Sequence, residues 1–306
     1  MGKVCVRTDG GAVVELERKL GALPVMVRSV RCHLRGLTQK QLVERHEEAH
    51  EAGGYFICNG NERAIRLLIV PRRQHMLALV RPTFVNRGAD FTDRAVQMRC
   101  VRDDQSSVTV ALHYLTTGNC MLRLTLRKSE YFVPVALVLK ALRPCTDRDI
   151  YARACGGDYD DAFVCDRVEA ALRALRGLSE PVGTQAQCLA YLGRRFRSQL
   201  GVSDAAGVSD DACGRLLIER QLLVHLRCFG AKWEVLLTML HKLYALAAGR
   251  IAEDNADSLV NQEVLLPGHL LTMLVKERLG ELLQAAAAAA RRELEPLAAG
   301  GAATAA

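Results

Sequence analysis

The sequence predicts an α+β chain, with strands and hairpins in its first part and helices in its second. Three observations carry this. Apolar and polar residues alternate around residues 96–100 and 120–127, which is the two-residue period of strands. Turn chemistry, Asn59-Gly60 and Thr116-Thr117-Gly118-Asn119, separates runs of this kind. From about residue 133 the apolar spacing changes to a helical period. At 306 residues, half of them hydrophobic and a quarter charged, the chain has material for about two domains, which excludes disorder over most of its length.

Taken in order, residues 23–30 form a short β-type run containing Pro24. Thr38 with Gln41 three residues on is a capping box, opening a helix expected to reach about Ala52 and to stop at Gly53-Gly54. Residues 55–58 and 62–70 read as a hairpin around Asn59-Gly60, ended by Pro71. Val96, Met98 and Cys100 then alternate with Gln97 and Arg99, and residues 103–107 are a turn. Residues 108–115 and 120–127 form a second hairpin, with Leu122, Leu124 and Leu126 facing a core. Arg123, Thr125 and Arg127 are expected on the opposite, wet face. Helices are expected near 133–142, 162–176, 185–200, 212–227 and 231–248, the last closed by Gly249. Pro267 suits the first position of a final helix through Leu271, Leu274, Val275 and Leu279, extended by the alanines of 285–290. The Ala/Gly-rich end of 285–306 is expected to fray.

Charge is unevenly spread. Residues 1–150 hold 24 Lys+Arg against 15 Asp+Glu, whereas the remainder holds 17 against 19. Arginine outnumbers lysine 33 to 8, and residues 63–102 carry nine arginines, no lysine and few acids. Guanidinium groups make bidentate contacts to phosphate oxygens, so nucleic acid is one candidate partner. A merely solvated surface is the other. No run approaches the roughly 18 apolar residues of a membrane span, and no secretory leader is evident. Gly2 is followed by Val6 where a myristoylation signal needs Ser or Thr. Eleven cysteines, an odd number with no C-x-x-C knuckle, point to free thiols in a reducing compartment rather than to zinc or a disulfide framework.

His46-Glu47-Glu48-Ala49-His50 matches the H-E-x-x-H zinc signature, whose chemistry needs two imidazoles one helical turn apart and a third ligand. The extended form keeps its glycine as Gly53 but has Phe56 at the last ligand position, so packing or capping is the favoured role for both histidines. Asp158, Asp160 and Asp161 could bind Mg²⁺. Preceding a helix near Ala162, they are better suited to capping it. Phosphate loops, dinucleotide turns and a nucleophile–base–orienter set are absent from the sequence, so no catalytic residue and no metal ligand is assigned.

The stretch Pro24-Val25-Met26-Val27-Arg28-Ser29, then Gly53-Gly54-Tyr55-Phe56-Ile57-Cys58-Asn59-Gly60-Asn61-Glu62, resembles the second-largest, β-type subunit of multisubunit RNA polymerases. Val70-Pro71-Arg72-Arg73, Leu112-His113-Tyr114-Leu115, Val138-Leu139-Lys140-Ala141-Leu142 and Glu253-Asp254-Asn255-Ala256-Asp257-Ser258-Leu259 are similar to its RNA polymerase I version. The resemblance covers about residues 20–284. It implies a protrusion-type domain interrupted by an inserted lobe-type domain: residues 1–71 an incomplete first part of the protrusion, 72–256 the lobe, and 257–284 the return to the protrusion. It implies a non-catalytic part of a nucleotidyltransferase, acting in the nucleus and nucleolus on rRNA genes. Implied partners are the largest and other RNA polymerase I subunits and the DNA template, with no membrane. No cofactor is implied in this segment, since the Mg²⁺ of the whole polymerase is held by the largest subunit. Candidate DNA-backbone contacts are Arg66, Arg72, Arg73, Arg81, Arg123 and Arg127. A protein–protein interaction module without nucleic-acid contact is the alternative. The fork, hybrid-binding, wall and clamp regions fall outside the match and the end after Gln284 departs from it, so a partial subunit with exposed apolar surface is expected.

Overall fold

The computed structural model describes residues 2–6, 14–202 and 207–302. The chain divides into two compact units, Met1–Leu67 and Leu68–Ala306.

In the first unit β1 (Gly2–Val6) pairs antiparallel with β2 (Val14–Arg18). The spacing of the two sequence stretches, residues 24–29 and 53–62, has a direct physical reading here. Met26 bridges to Phe56, the Val27 N–H donates to the Tyr55 carbonyl at 2.8 Å, and the Gly54 N–H donates to the Val27 carbonyl at 3.1 Å. Gly53 sits at φ +72, and a Cβ there would lie 2.6 Å from the Val27 carbonyl oxygen. Only glycine tolerates both the angle and the approach. Residues 23–30 are therefore one bridge followed by turns, not the expected strand, because Arg28 takes φ +60 and turns the chain.

The Thr38/Gln41 capping box is present, but α1 spans only Gln39–Glu44. Leu42 is the one buried residue of this helix, and an isolated helical turn without an apolar face does not propagate. His46 adopts φ +62 and breaks the expected continuation to Ala52. The Asn59-Gly60 hairpin joins β3 (Phe56–Cys58) to β4 (Asn61–Arg63). The expected return strand over 62–70 is two separate strands, because β5 (Leu68–Pro71) has a different partner, β11 (Gln262–Leu265).

The second unit is built on a five-stranded antiparallel sheet in the order β10-β9-β8-β7-β6. Its strands are β6 (Met76–Val80), β7 (Phe91–Val101), β8 (Ser107–Leu115), β9 (Cys120–Leu126) and β10 (Ser129–Pro134). β6 and β10 escape the sequence reading because β6 is apolar throughout and β10 runs directly into a helix. Val96, Met98, Cys100, Val110, Leu112, Leu122, Leu124, Leu126 and Val133 form the helix-covered face and the main core.

Helices over that face are α2 (Val135–Leu142), α3 (Asp147–Ala154), α4 (Ala162–Arg173), α5 (Gln185–Leu200), α6 (Asp210–Gln221) and α7 (Phe229–Ala247). Every residue of α2 is buried, and Trp233, Leu236, Leu240 and Tyr244 of α7 complete the core. α3 is not anticipated by the sequence reading, although Thr146 and Asp149 form its capping box. α6 ends at Gln221, short of the expected 227. There the buried Lys232 ammonium donates to the Ile218 and Leu222 carbonyls at 2.9 and 2.7 Å, and the chain turns at Leu223. α5 and α6 cross on two glycines: a Cβ on Gly193 would lie 1.8 Å from the Asp210 carbonyl oxygen, and one on Gly214 2.1 Å from that of Leu189.

The opposite sheet face is only in part the wet surface expected: Thr125 and Arg127 are exposed, while Arg123 is largely covered. Leu77, Leu79, Phe84 and Ala95 form a second buried cluster there. Phe91 and Phe132 stack edge-on at 4.8 Å beside it. After β11, Pro267 opens α8 (Pro267–Ala302), which takes in the alanines of 285–290. Residues 303–306 lie outside the description.

Candidate nucleic-acid interface

Strand direction locates the arginines of the second unit. β6 and β7, β7 and β8, β8 and β9, and β9 and β10 each run antiparallel. The chain entering β6, the β7–β8 turn and the β9–β10 turn therefore lie at one end of the sheet. The chain leaving β6 lies at the other. Arg72 and Arg127 belong to the first end and Arg81 to the second. All three are exposed, and no side-chain partner is found for them among the described residues. Their backbones are fixed: Arg72 N–H donates to the Asn261 carbonyl at 2.9 Å and Arg81 N–H to that of Asp93 at 2.7 Å. Arg127 holds φ +48 in the β9–β10 turn, and its guanidinium lies beside Gly201, which ends α5. Arg66 is exposed in the first unit, in the irregular segment after β4.

The other two candidates are engaged within the chain. Arg73 pairs with Glu263 at 3.0 Å, and Arg99 reaches the same carboxylate at 2.6 Å. Burial alone would raise the Glu263 pKa, but the hydrogen bonds from the two arginines outweigh it and hold it below the usual range. The pair of guanidiniums thus ties β11 to β7. Arg123, whose side chain is only 11% exposed, pairs with Glu130 at 2.9 Å, and Arg87 bonds the same carboxylate at 3.0 Å. Arg87 also lies over the Phe84 ring, 4.9 Å from its centroid. The hydrogen bond from Arg87 keeps Glu130 below its ordinary pKa.

Between these charges His113 is fully buried, ringed by Phe84, Phe91 and Phe132 at 4.9–5.8 Å, with no hydrogen-bond partner on either ring nitrogen. Burial, helped by repulsion from Arg87 and Arg123, pushes its pKa down to about 3. His113 is therefore neutral and packs as an aromatic. Sequence reasoning missed this cluster, although one signal pointed to it: Glu130 is the only acid in residues 105–146 and lies beside Lys128 and Arg127.

The two motif candidates resolve into structural roles. His46 and His50 do not share a helix, since α1 ends at Glu44 and His46 is left-handed. His50 Nδ1 instead meets the Gln39 amide at 3.2 Å. Asp161 caps α4 through the Val164 N–H at 3.3 Å and pairs with Arg250. Asp158 accepts from the Asp160 N–H at 3.2 Å. Among the described residues no three His, Cys, Asp or Glu side chains converge on a point where they could hold a metal ion, and no helix is long and apolar enough to cross a membrane.

The RNA polymerase beta subunit family matches residues 2–302. The chain is 44% identical over 275 residues to the probable DNA-directed RNA polymerase I subunit RPA2 of Schizosaccharomyces pombe, covering 90% of this chain and 23% of that protein. It is 44% identical over 279 residues to the DNA-directed RNA polymerase I subunit RPA135 of Saccharomyces cerevisiae, with the same coverage. To the human DNA-directed RNA polymerase I subunit RPA2 it is 43% identical over 264 residues, covering 86% of this chain and 23% of the human protein. The chain thus spans about a quarter of the length of these curated relatives.

Proposed function

As this chain belongs to the RNA polymerase beta subunit family, we propose that it supplies part of the second-largest subunit of DNA-directed RNA polymerase I and transcribes rRNA genes within that assembly. Its role is to form one side of the DNA cleft and a docking surface for other subunits. It takes no part in nucleotidyl transfer itself. The polymerase it serves works in the nucleus, at the nucleolus. Magnesium chemistry belongs to the largest subunit, and no residue of this chain is assigned to it.

The observation that carries the domain reading is the β5–β11 pairing. Val70 lies opposite Glu263 and Leu68 opposite Leu265. The chain departs at Pro71 and returns at Gln262 beside its own point of departure, as an inserted domain must. We assign 72–256 to a lobe, and 1–71 with 257–284 to a protrusion. Exposed Met273, Leu274, Leu279 and Leu283 on α8 support cover by further polymerase surface. The identities to RNA polymerase I subunits favour this reading over an interaction module that never meets nucleic acid. Phosphate contact is assigned first to the exposed Arg66, Arg72, Arg81 and Arg127. Arg73 and Arg123, held by Glu263 and Glu130, help to shape the surface.

The test is affinity purification of the tagged chain from its own cells, with mass spectrometry of what accompanies it and chromatin immunoprecipitation. Recovery of the largest polymerase I subunit and occupancy across rRNA genes are expected. A chain recovered without any polymerase subunit and absent from rRNA genes contradicts the reading.

A further inference from the structure

Cys155 caps the C-terminus of α3 and Cys165 lies in the first turns of α4. Their sulfurs face each other at 3.6 Å, in van der Waals contact and short of a bond. Among the described residues no other two thiols approach this closely, and both are nearly buried, 7% and 8% exposed. The chain between them contains Gly156 and Gly157, both at positive φ, so the connecting turn is made of the residues that adjust most easily. Tyr151 and Tyr159 stack over the same region, 6.1 Å apart and within 7° of parallel. The Cys165 thiol donates to the Tyr159 carbonyl at 3.6 Å. Two sulfurs held in contact on either side of a flexible turn have to close by only about 1.6 Å to reach the disulfide length of ~2.05 Å.

We propose that Cys155 and Cys165 form a redox-modification site, in which a peroxide oxidises the two thiols to an intrachain disulfide joining α3 to α4. The balance is closed. One thiolate attacks a peroxide oxygen, the O–O bond breaks, and a sulfenic acid and one water (or alcohol) form. The second thiol attacks the sulfenic sulfur, the S–O bond breaks, and a second water leaves with the proton. The two thiols lose two electrons, and the peroxide takes them up. Burial pushes the Cys155 thiol up to about 12. Cys155 therefore rests as a neutral thiol at ordinary pH, and its oxidation is slow, faster as pH rises or as the glycine turn opens.

The experiment treats the whole chain with hydrogen peroxide under native conditions, blocks free thiols with iodoacetamide, digests it and seeks linked peptides by mass spectrometry. The expected product joins the Cys155 and Cys165 peptides with loss of two hydrogens and is reversed by dithiothreitol. It forms at least tenfold faster at pH 9 than at pH 7, and the oxidised chain unfolds at higher urea. Cys165→Ser, checked by circular dichroism for native structure, is expected to leave Cys155 unlinked. The proposal is overturned if peroxide consumes only the exposed Cys5 and Cys228, or if Cys155 links to any cysteine other than Cys165 in the folded protein.

Discussion

Asp254 closes the edge of the sheet on Ala78: its N–H donates to the Ala78 carbonyl at 2.7 Å, and its carboxylate accepts the Ala78 N–H at 2.7 Å. Ala78 belongs to β6, an edge strand whose outer backbone groups would otherwise be open to foreign pairing. The same carboxylate pairs with Lys242 of α7 at 2.6 Å. One aspartate thus completes a strand edge and ties it to the helical layer. This gives the Glu253-Asp254-Asn255 stretch a structural reason.

Asp254→Ala removes the acceptor for the Ala78 N–H and the counter-charge of Lys242. Because the Asp254 side chain is 33% exposed, a loss of about 1 kcal/mol is expected. Urea unfolding measures it, and hydrogen exchange at the Ala78 amide should accelerate. Unchanged exchange at that amide would contradict the edge-closing role.

Acid sensitivity should be traceable to His113. Its folded pKa, about 3, lies below the ordinary 6.5 of a free imidazole. Between those values the unfolded chain binds a proton that the folded chain does not. Stability from this group is whole above pH 6.5 and falls as pH drops through the window, by up to about 1.4 kcal/mol per pH unit. His113→Phe keeps the aromatic packing and removes the titration. The variant should lose less stability than the parent between pH 6 and 4, measured by urea midpoints at each pH. Parallel pH curves would refute the assignment.

Glu130→Gln leaves Arg87 and Arg123 without their shared carboxylate. Arg123 is nearly buried while Glu130 is 40% exposed, so a cost of about 1–3 kcal/mol is expected, below that of a fully buried pair. Thermal unfolding measures it.

The crossing of α5 and α6 depends on two missing side chains. Gly193→Ala or Gly214→Ala would drive a methyl into backbone carbonyls of the partner helix. A loss of about 3 kcal/mol is expected for each in chemical denaturation, whereas Gly230→Ala, whose nearest neighbour is the Cys228 sulfur at 3.7 Å, should stay close to the parent.

Much of this architecture was legible in the sequence for local reasons. The Thr38/Gln41 box, the hairpin turns, the helices starting near Ala162, Gln185 and Pro267, and the core alternation of Val96, Met98 and Cys100 each rest on neighbouring residues. What was hidden is non-local. The β5 partner lies almost two hundred residues away. Phe84, Phe91 and Phe132 surround His113 on the face where Arg123 was expected in water, although Thr125 stays exposed as expected. Ion pairing of Arg73 and Arg123 depends on Glu263 and Glu130, which no short-range pattern connects to them. The end of α1 at Glu44 reflects the lack of tertiary cover beyond Leu42.

The most direct measurement is photocrosslinking in assembled polymerase bound to template DNA, with a photoreactive residue placed in turn at Arg72, Arg81 and Arg127, and at Arg153 as a control paired to Glu234. Adducts to DNA from at least the Arg72 and Arg127 positions, weakening as salt rises and absent from the control, are the result a wall of the DNA cleft gives. Adducts to protein alone from every position would mean that this surface docks other subunits and never meets the template.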